Sequence, residues 1–218
     1  MVSWWRLDET SGNIVHDSTS NHYDGTTSSN IGVAPVSAFV PMVNNALNFV
    51  FNSMATVPGS PYNFGTGSFS IDAWVQGPVS NANLGIVDKL DTTSSTPTGF
   101  AFFVSGGKLT LKLGSSLFQS PSNSFTYNTW QHVAATVQGT GATFVIRLYI
   151  NGVQSGGPIV TPAVSVNNTQ DLLIGFSRLN SACPSCEVTL DEIEIFDDVL
   201  SPADILAIFN SGHTGKCP

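Results

Sequence analysis

A strict two-residue alternation constrains this chain more than any other feature. In "SFSIDAWVQG", Phe69, Ile71, Ala73 and Val75 fall on one side, while Ser70, Asp72 and Trp74 fall on the other. Successive side chains of an extended chain point to opposite faces, so such a segment buries an apolar face only as a β-strand. The same period recurs in "GFAFFVSGGKLTLKLG", "WQHVAATVQG", "TFVIRLYINGVQSGG", "DLLIGFSRL" and "EVTLDEIEIF". Ser105-Gly106-Gly107 and Asn151-Gly152 are hairpin signals, because tight turns between strands need backbone at positive φ. The loop-like stretches are Ser18–Pro41, Asp88–Gly99, Ser115–Asn128 and Gly156–Asn168.

One helix is predicted, in "LSPADILAIFNSG". Ser201 suits the N-cap, Pro202 the first turn, and Asp204 the positive end of the helix dipole. Ile205, Ile208 and Phe209 share a face and Gly212 stops the helix. It is expected to plug one end of the molecule. Many short strands and one terminal helix describe an all-β, two-sheet antiparallel sandwich. No repeat or long linker divides it, so a single domain over residues 1–218 is expected.

Composition narrows the partners. Only 10% of residues are charged and the net charge is −8, which disfavours nucleic acid and anionic membrane surfaces. No apolar run is long enough to span a bilayer, so membrane insertion is not expected. The opening "MVSWWRLDE" reads as a module cut from a longer secreted polypeptide and given an initiator Met. Cys183 and Cys186, in "CPSC", lie between turns and read as a short disulfide closing a loop; a bridge from Cys217 to either is the competing pairing. Two cysteines do not complete a zinc site.

The acidic stretch "LDEIEIFDD" poses the functional question. Val188 and Leu190 share one parity, Ile193 and Ile195 the other. If all four face the core, a β-bulge at Asp191-Glu192 must shift the phase, and bulges re-aim side chains beside functional sites. Two readings compete for the carboxylates. Retaining glycosidases need a pair about 5–5.5 Å apart, for which Glu192 with Glu194 or Asp197 is the available set. Calcium needs six to eight oxygens, and Asp17, Asn21 and Asp24 in "HDSTSNHYDG" supply a loop of suitable donors. That loop is not an EF-hand, since His22 and Ser28 occupy the positions that need Gly and Glu.

Five segments in order carry a family resemblance. "WWRLDETSGNIVHDSTSNHYDGT", "ALNFVFNSMATVP", "GSFSIDAWV" with "TWQHVAATV", "LYINGV", and "LDEIEIFDDVLSPADILAIFN" together are similar to a laminin-G-like module of the concanavalin A-like lectin/glucanase superfamily. The resemblance covers nearly the whole chain and implies a concanavalin A-like jelly roll. It departs from the pattern at Phe51-Asn52-Ser53, where the usual motif is Phe-Asp-Gly. Such modules are mostly non-catalytic parts of secreted or surface proteins, and many bind calcium or glycans. The resemblance implies a structural calcium ion held by Asp17 and Asp191, with Asn21 and Asp24 contributing and Glu9 a weaker ligand. It also favours the non-catalytic reading, because the acidic motif lies in the closing strand, where the glucanases do not carry theirs.

A glycan site needs aromatic platforms and convergent polar groups. Trp5, Tyr23, Tyr62 and Tyr127 lie in or near loops, and Asp88, Asp91 and Thr92 form a polar one; Trp5, Tyr62, Asp88 and Asp91 are the candidate ligand contacts, with packing against the core the favoured reading for each aromatic. His132 is expected to be a satisfied strand histidine, and Glu192 and Glu194 to lie on a solvated outer face. The expected function is a secreted, calcium-binding, non-catalytic module that binds carbohydrate. The alternatives are an adhesive or structural unit that self-associates or binds surface proteins, and a glucan hydrolase using Glu192 with Glu194 or Asp197.

Overall fold

A computed structural model describes residues 1–28, 32–34, 45–50, 53–79, 83–180 and 187–212. The strands are β1 (Ser3–Trp5), β2 (Ile14–Val15), β3 (Gly25–Thr27), β4 (Gly32–Ala34), β5 (Ala46–Val50), β6 (Ala55–Val57), β7 (Phe69–Gln76), β8 (Leu84–Asp88) and β9 (Phe100–Ser105). There follow β10 (Lys108–Leu113), β11 (Ser116–Gln119), β12 (Gln131–Gly139), β13 (Thr143–Ile150), β14 (Val153–Gln154), β15 (Ile159–Pro162), β16 (Leu172–Ile174), β17 (Glu187–Phe196) and the helix α1 (Pro202–Ser211). They form two antiparallel sheets. The first runs β14-β13-β12-β7-β17-β5-β4, with β1 added beside β17 and β15 beside β13. The second runs β11-β10-β9-β8-β16-β6-β3-β2.

The alternation produces this sandwich directly. Phe69, Ile71, Ala73 and Val75 of β7 face the core with Val133, Ala135 and Val137 of β12 and Phe100, Phe102 and Val104 of β9. The Phe69 ring lies 4.8 Å from Phe64 and 5.2 Å from Phe100, bridging the sheets. Each fully buried side chain of this size contributes roughly 1.5–3 kcal/mol relative to exposure. Both predicted hairpins form: Gly106 and Gly107 adopt φ of 56° and 71°, and Asn151 and Gly152 adopt 51° and 77°.

Three of the four expected loops contain strands. β3 and β4 lie in the first, β11 in the third and β15 in the fourth. These are short pieces at or near sheet edges, and their Gly- and Ser-rich sequences alternate too briefly to register as strands. "DLLIGFSRL" yields only Leu172–Ile174, because Gly175 turns at φ 78° and a Cβ there would strike the Phe49 ring at 2.2 Å.

The helix begins as predicted, with Ser201 and Asp204 forming a reciprocal capping box. Its place differs from the expectation. It does not plug an end but lies on the outer face of the first sheet. Ile205 packs on Ala134 and Tyr149, and Phe209 stacks on Trp74 at 5.7 Å between ring centroids. A strand alternation marks Trp74 as outward-facing, but outward here means beneath a helix.

Candidate functional site

The closing strand β17 carries the predicted bulge. Its register against β7 shifts between Asp191 and Glu194, and Glu192 is the extra residue at φ 50°. Val188, Leu190, Ile193 and Ile195 consequently all reach the core. At the bulge, β17 also changes its other neighbour, from β5 at Glu187–Leu190 to β1 at Ile193–Ile195. The irregularity is what lets one strand serve two partners of different register.

The carboxylates so placed do not match the expectations. Asp191 stands opposite Trp74 and Glu194 opposite Asp72, on the outer face. Both are buried, so Glu194 corrects the solvated-face assignment: the face is covered where α1 and its flanking chain pack. His132 lies in the same layer, its Nε2 3.3 Å from Asp72 Oδ1, while its Nδ1 is buried without a hydrogen-bond partner among the described residues, so the expected satisfied strand histidine is only half satisfied. Glu192 accepts a 2.6 Å hydrogen bond from the Trp4 indole. Asp197 is exposed beside the N-terminal ammonium at 3.8 Å. A hydrolytic pair of Glu192 with Glu194 or Asp197 would thus join an indole-bonded acid to a buried or an exposed one.

The N-terminal loop is organised by Asp17, which is 2% exposed. Its Oδ1 accepts the amides of Trp4 and Thr19, both at 2.9 Å. Its Oδ2 accepts the Thr19 hydroxyl and the Tyr23 amide, both at 3.0 Å. An ionised carboxylate offers about four lone-pair sites, and protein donors take them all. Asp24 accepts the Asp17 amide at 2.8 Å and faces His16 at 3.4 Å; Asn21 donates to the Val2 carbonyl; Glu9 accepts the His16 amide.

This donor set does not fit calcium. Asp17 is committed to three backbone amides and the Thr19 hydroxyl, and Asp191 pairs in register with Trp74 on the outer face of the first sheet. Among the described residues, no three His, Cys, Asp or Glu side chains converge as metal ligands. The physical reason is that an acidic loop rich in its own amides can close on a carboxylate without a cation.

The expected glycan contacts are redistributed. Trp5 and Tyr62 are fully buried, 6.1 Å apart, with the Tyr62 hydroxyl 2.8 Å from Ser3 Oγ. They are core residues, the reading that the sequence favoured for the aromatics over ligand contact. Asp88 is buried and receives Arg178, whose Nη1 lies 3.1 Å from Oδ1 and whose amide donates to Oδ2 at 2.8 Å. Burial pushes the Asp88 carboxyl above its ordinary value, with the Leu90 and Arg178 donors opposing. Asp91 remains on the surface in a turn closed by the Thr93 hydroxyl at 2.6 Å, which holds its carboxyl below the ordinary value. Cys183, Cys186 and Cys217 lie outside the described residues.

Two features escaped sequence reasoning. Lys89 is fully buried, and its Nζ donates to Asn63 Oδ1 at 2.8 Å, Asn168 Oδ1 at 2.7 Å and the Asn168 carbonyl at 3.1 Å. Burial, helped by the Arg178 cation, pulls this ammonium down to about 8, against the opposing pull of Asp171. The other is a charge division. Residues 92–170 contain no Asp or Glu, although the chain has fifteen; they hold Lys108, Lys112 and Arg147. A running tally of charge along the chain would have found it.

Comparison with known proteins places the fold. Residues 51–206 match the Laminin_G_3 family of the concanavalin A-like lectin/glucanases superfamily. No protein of curated function matches the chain in sequence. Among solved structures, the binding domain of Paraclostridial Mosquitocidal Protein 1 superposes with TM-score 0.72 and 18% identity, over 96% of this chain and 52% of that one. The binding domain of botulinum neurotoxin DC, in complex with SialylT, gives 0.64 and 16%, over 97% and 51%. This chain thus spans about half the length of those toxin domains. Domain 4 of AbnA, an extracellular arabinanase from Geobacillus stearothermophilus in complex with arabinotriose, gives 0.68 and 17%, over 95% of this chain and 97% of that one. At these identities the likeness is one of fold. Together with a family match over most of its length, the chain belongs to the Laminin_G_3 family of concanavalin A-like lectin/glucanase proteins.

Proposed function

We propose that the protein is a non-catalytic, extracellular binding module whose ligand is a glycan. The observation that carries this reading is the near-complete two-way superposition on domain 4 of an arabinanase complexed with arabinotriose. The toxin domains add sialylated and ganglioside ligands on related sandwiches. The arrangement of β17 supports a non-catalytic role, since its acids are divided among a buried layer, an indole hydrogen bond and the N-terminus. No helix among the described residues is long and apolar enough to cross a membrane.

The test is a binding panel of arabinan, neutral glucans, uronic-acid polymers and sialylated glycans, with reducing ends assayed in the same mixtures. Retention by at least one polysaccharide without release of reducing ends is the expected result. Release that Glu192→Gln abolishes would replace this reading with hydrolysis. A related toxin domain is also solved with synaptotagmin II, so capture of a protein receptor with no glycan retained would make the module a protein binder.

A further inference from the structure

The acid-free segment folds into one lateral part of the sandwich. β9, β10 and β11 form one end of the second sheet, and β12 to β15 one end of the first. The two ends lie over each other: a Cβ on Gly156 would come 3.3 Å from Pro121, and one on Gly114 would come 3.9 Å from Val164. All fifteen acids therefore belong to the remainder, while this part presents only cations and neutral polar groups.

On the outer face of its second sheet, the partly exposed Lys108 and Lys112 flank a buried Thr110 and alternate with core residues Leu109, Leu111 and Leu113. Four strand positions separate the lysines by roughly 13 Å. Register sets Lys112 beside Leu117, which is 54% exposed, and Thr110 beside Gln119, whose amide donates to the Thr110 hydroxyl at 3.2 Å. Ser105 stands opposite Lys108. Lys112 Nζ rests on the Ser115 carbonyl at 3.2 Å, and neither lysine has an ion-pair partner among the described residues.

We infer that the outer face of β10 and β11, beside the part of β9 that Leu90 and Leu179 cover, binds an acidic glycan, one carrying carboxylate or sulfate groups, with Lys108 and Lys112 as its cationic contacts. The inference rests on the glycan-binding reading and deepens it by naming the ligand class. Depletion of acid is what an anionic ligand requires of a protein whose net charge is −8, since every nearby carboxylate would repel it. At physiological ionic strength charge is felt over about 8 Å, so the acids of the other part are screened from most of this face. Lysine is a compact point charge that serves carboxylate and sulfate alike. The spacing suits two acidic groups along one polymer, with Gln119, Ser105 and Leu117 as neutral contacts to the sugars between.

The test is affinity electrophoresis or calorimetry of the whole chain with polygalacturonate, dextran sulfate and neutral arabinan. The parent should bind at least one acidic polymer, and affinity should fall between roughly 50 and 200 mM salt. Lys108→Gln with Lys112→Gln should weaken it at least about tenfold, as loss of charge-assisted contacts demands. Lys108→Arg with Lys112→Arg should retain it, and so should Arg147→Gln on the other sheet. Preference for carboxylated or sulfated polymer identifies the acid. Parent-like binding by the double glutamine variant overturns the inference. Tight, salt-insensitive binding of neutral arabinan alone also overturns it while leaving the glycan module intact. Low-salt oligomers that the double variant abolishes, with no polymer bound, would make this a self-association face instead. Silence across all polymers would defeat both readings.

Discussion

The acidic and acid-free parts of the sandwich use charge in opposite ways. In the acidic part, the ionised groups that matter to architecture are buried with their hydrogen bonds spent: Asp17 on three amides and a hydroxyl, Asp88 on Arg178 and the Leu90 amide, Lys89 on three oxygens. In the acid-free part, Lys108 and Lys112 are partly exposed on a sheet face, and partial burial pulls the Lys112 ammonium below its ordinary value. Charge removed from water must be fully compensated and so becomes structure, whereas charge left at the surface costs little and stays available to a ligand. Acidic residues in this chain are thus a poor guide to its binding face.

The sharpest way to break that contrast is Asp17→Ala, which strands three amides around a buried site. A loss of about 3 kcal/mol or more is expected in denaturant unfolding. A loss under about 1 kcal/mol would mean the loop re-closes on other acceptors. Asp88→Ala, which leaves Arg178 without its carboxylate, should cost about 2 kcal/mol, while Asp91→Ala should leave the unfolding midpoint unchanged because its turn is on the surface.

Alkaline titration probes two buried groups with opposite signs. Lys89 titrates near 8 in the fold and near 10.5 when unfolded, so its share of stability rises as pH climbs through that window. Burial holds the Tyr62 phenol above its ordinary 10.0, so the stability that Tyr62 contributes is present below pH 10 and lost above it. Melting temperature should therefore rise toward pH 10 and then fall; Lys89→Met should abolish the rise, and Tyr62→Phe should soften the fall.

The smallest effects complete the comparison. Calcium or a chelator should leave the melting temperature unchanged, because Asp17 has no lone pair to offer. A calcium-dependent rise that Asp17→Asn removes would restore the metal site. Lys108→Gln with Lys112→Gln should alter stability by no more than about 0.5 kcal/mol. A larger loss would place these lysines with the architectural charges.

The long strands, both hairpin turns, the helix cap and the β17 bulge were legible in the residues, because each follows from local rules: side-chain alternation, turn backbone, capping and hydrophobic phase. Burial of Trp5, Tyr62 and Glu194, the helix over Trp74, and the closure of the N-terminal loop on Asp17 were decided by tertiary contacts. A residue's parity tells which face it takes, and its chemistry tells what it could bind. What covers that face, and which donors reach a carboxylate first, depends on segments distant in the chain, as when Trp4 meets Glu192 or Arg178 meets Asp88. No local pattern encodes those meetings; packing the two sheets and the helix together does.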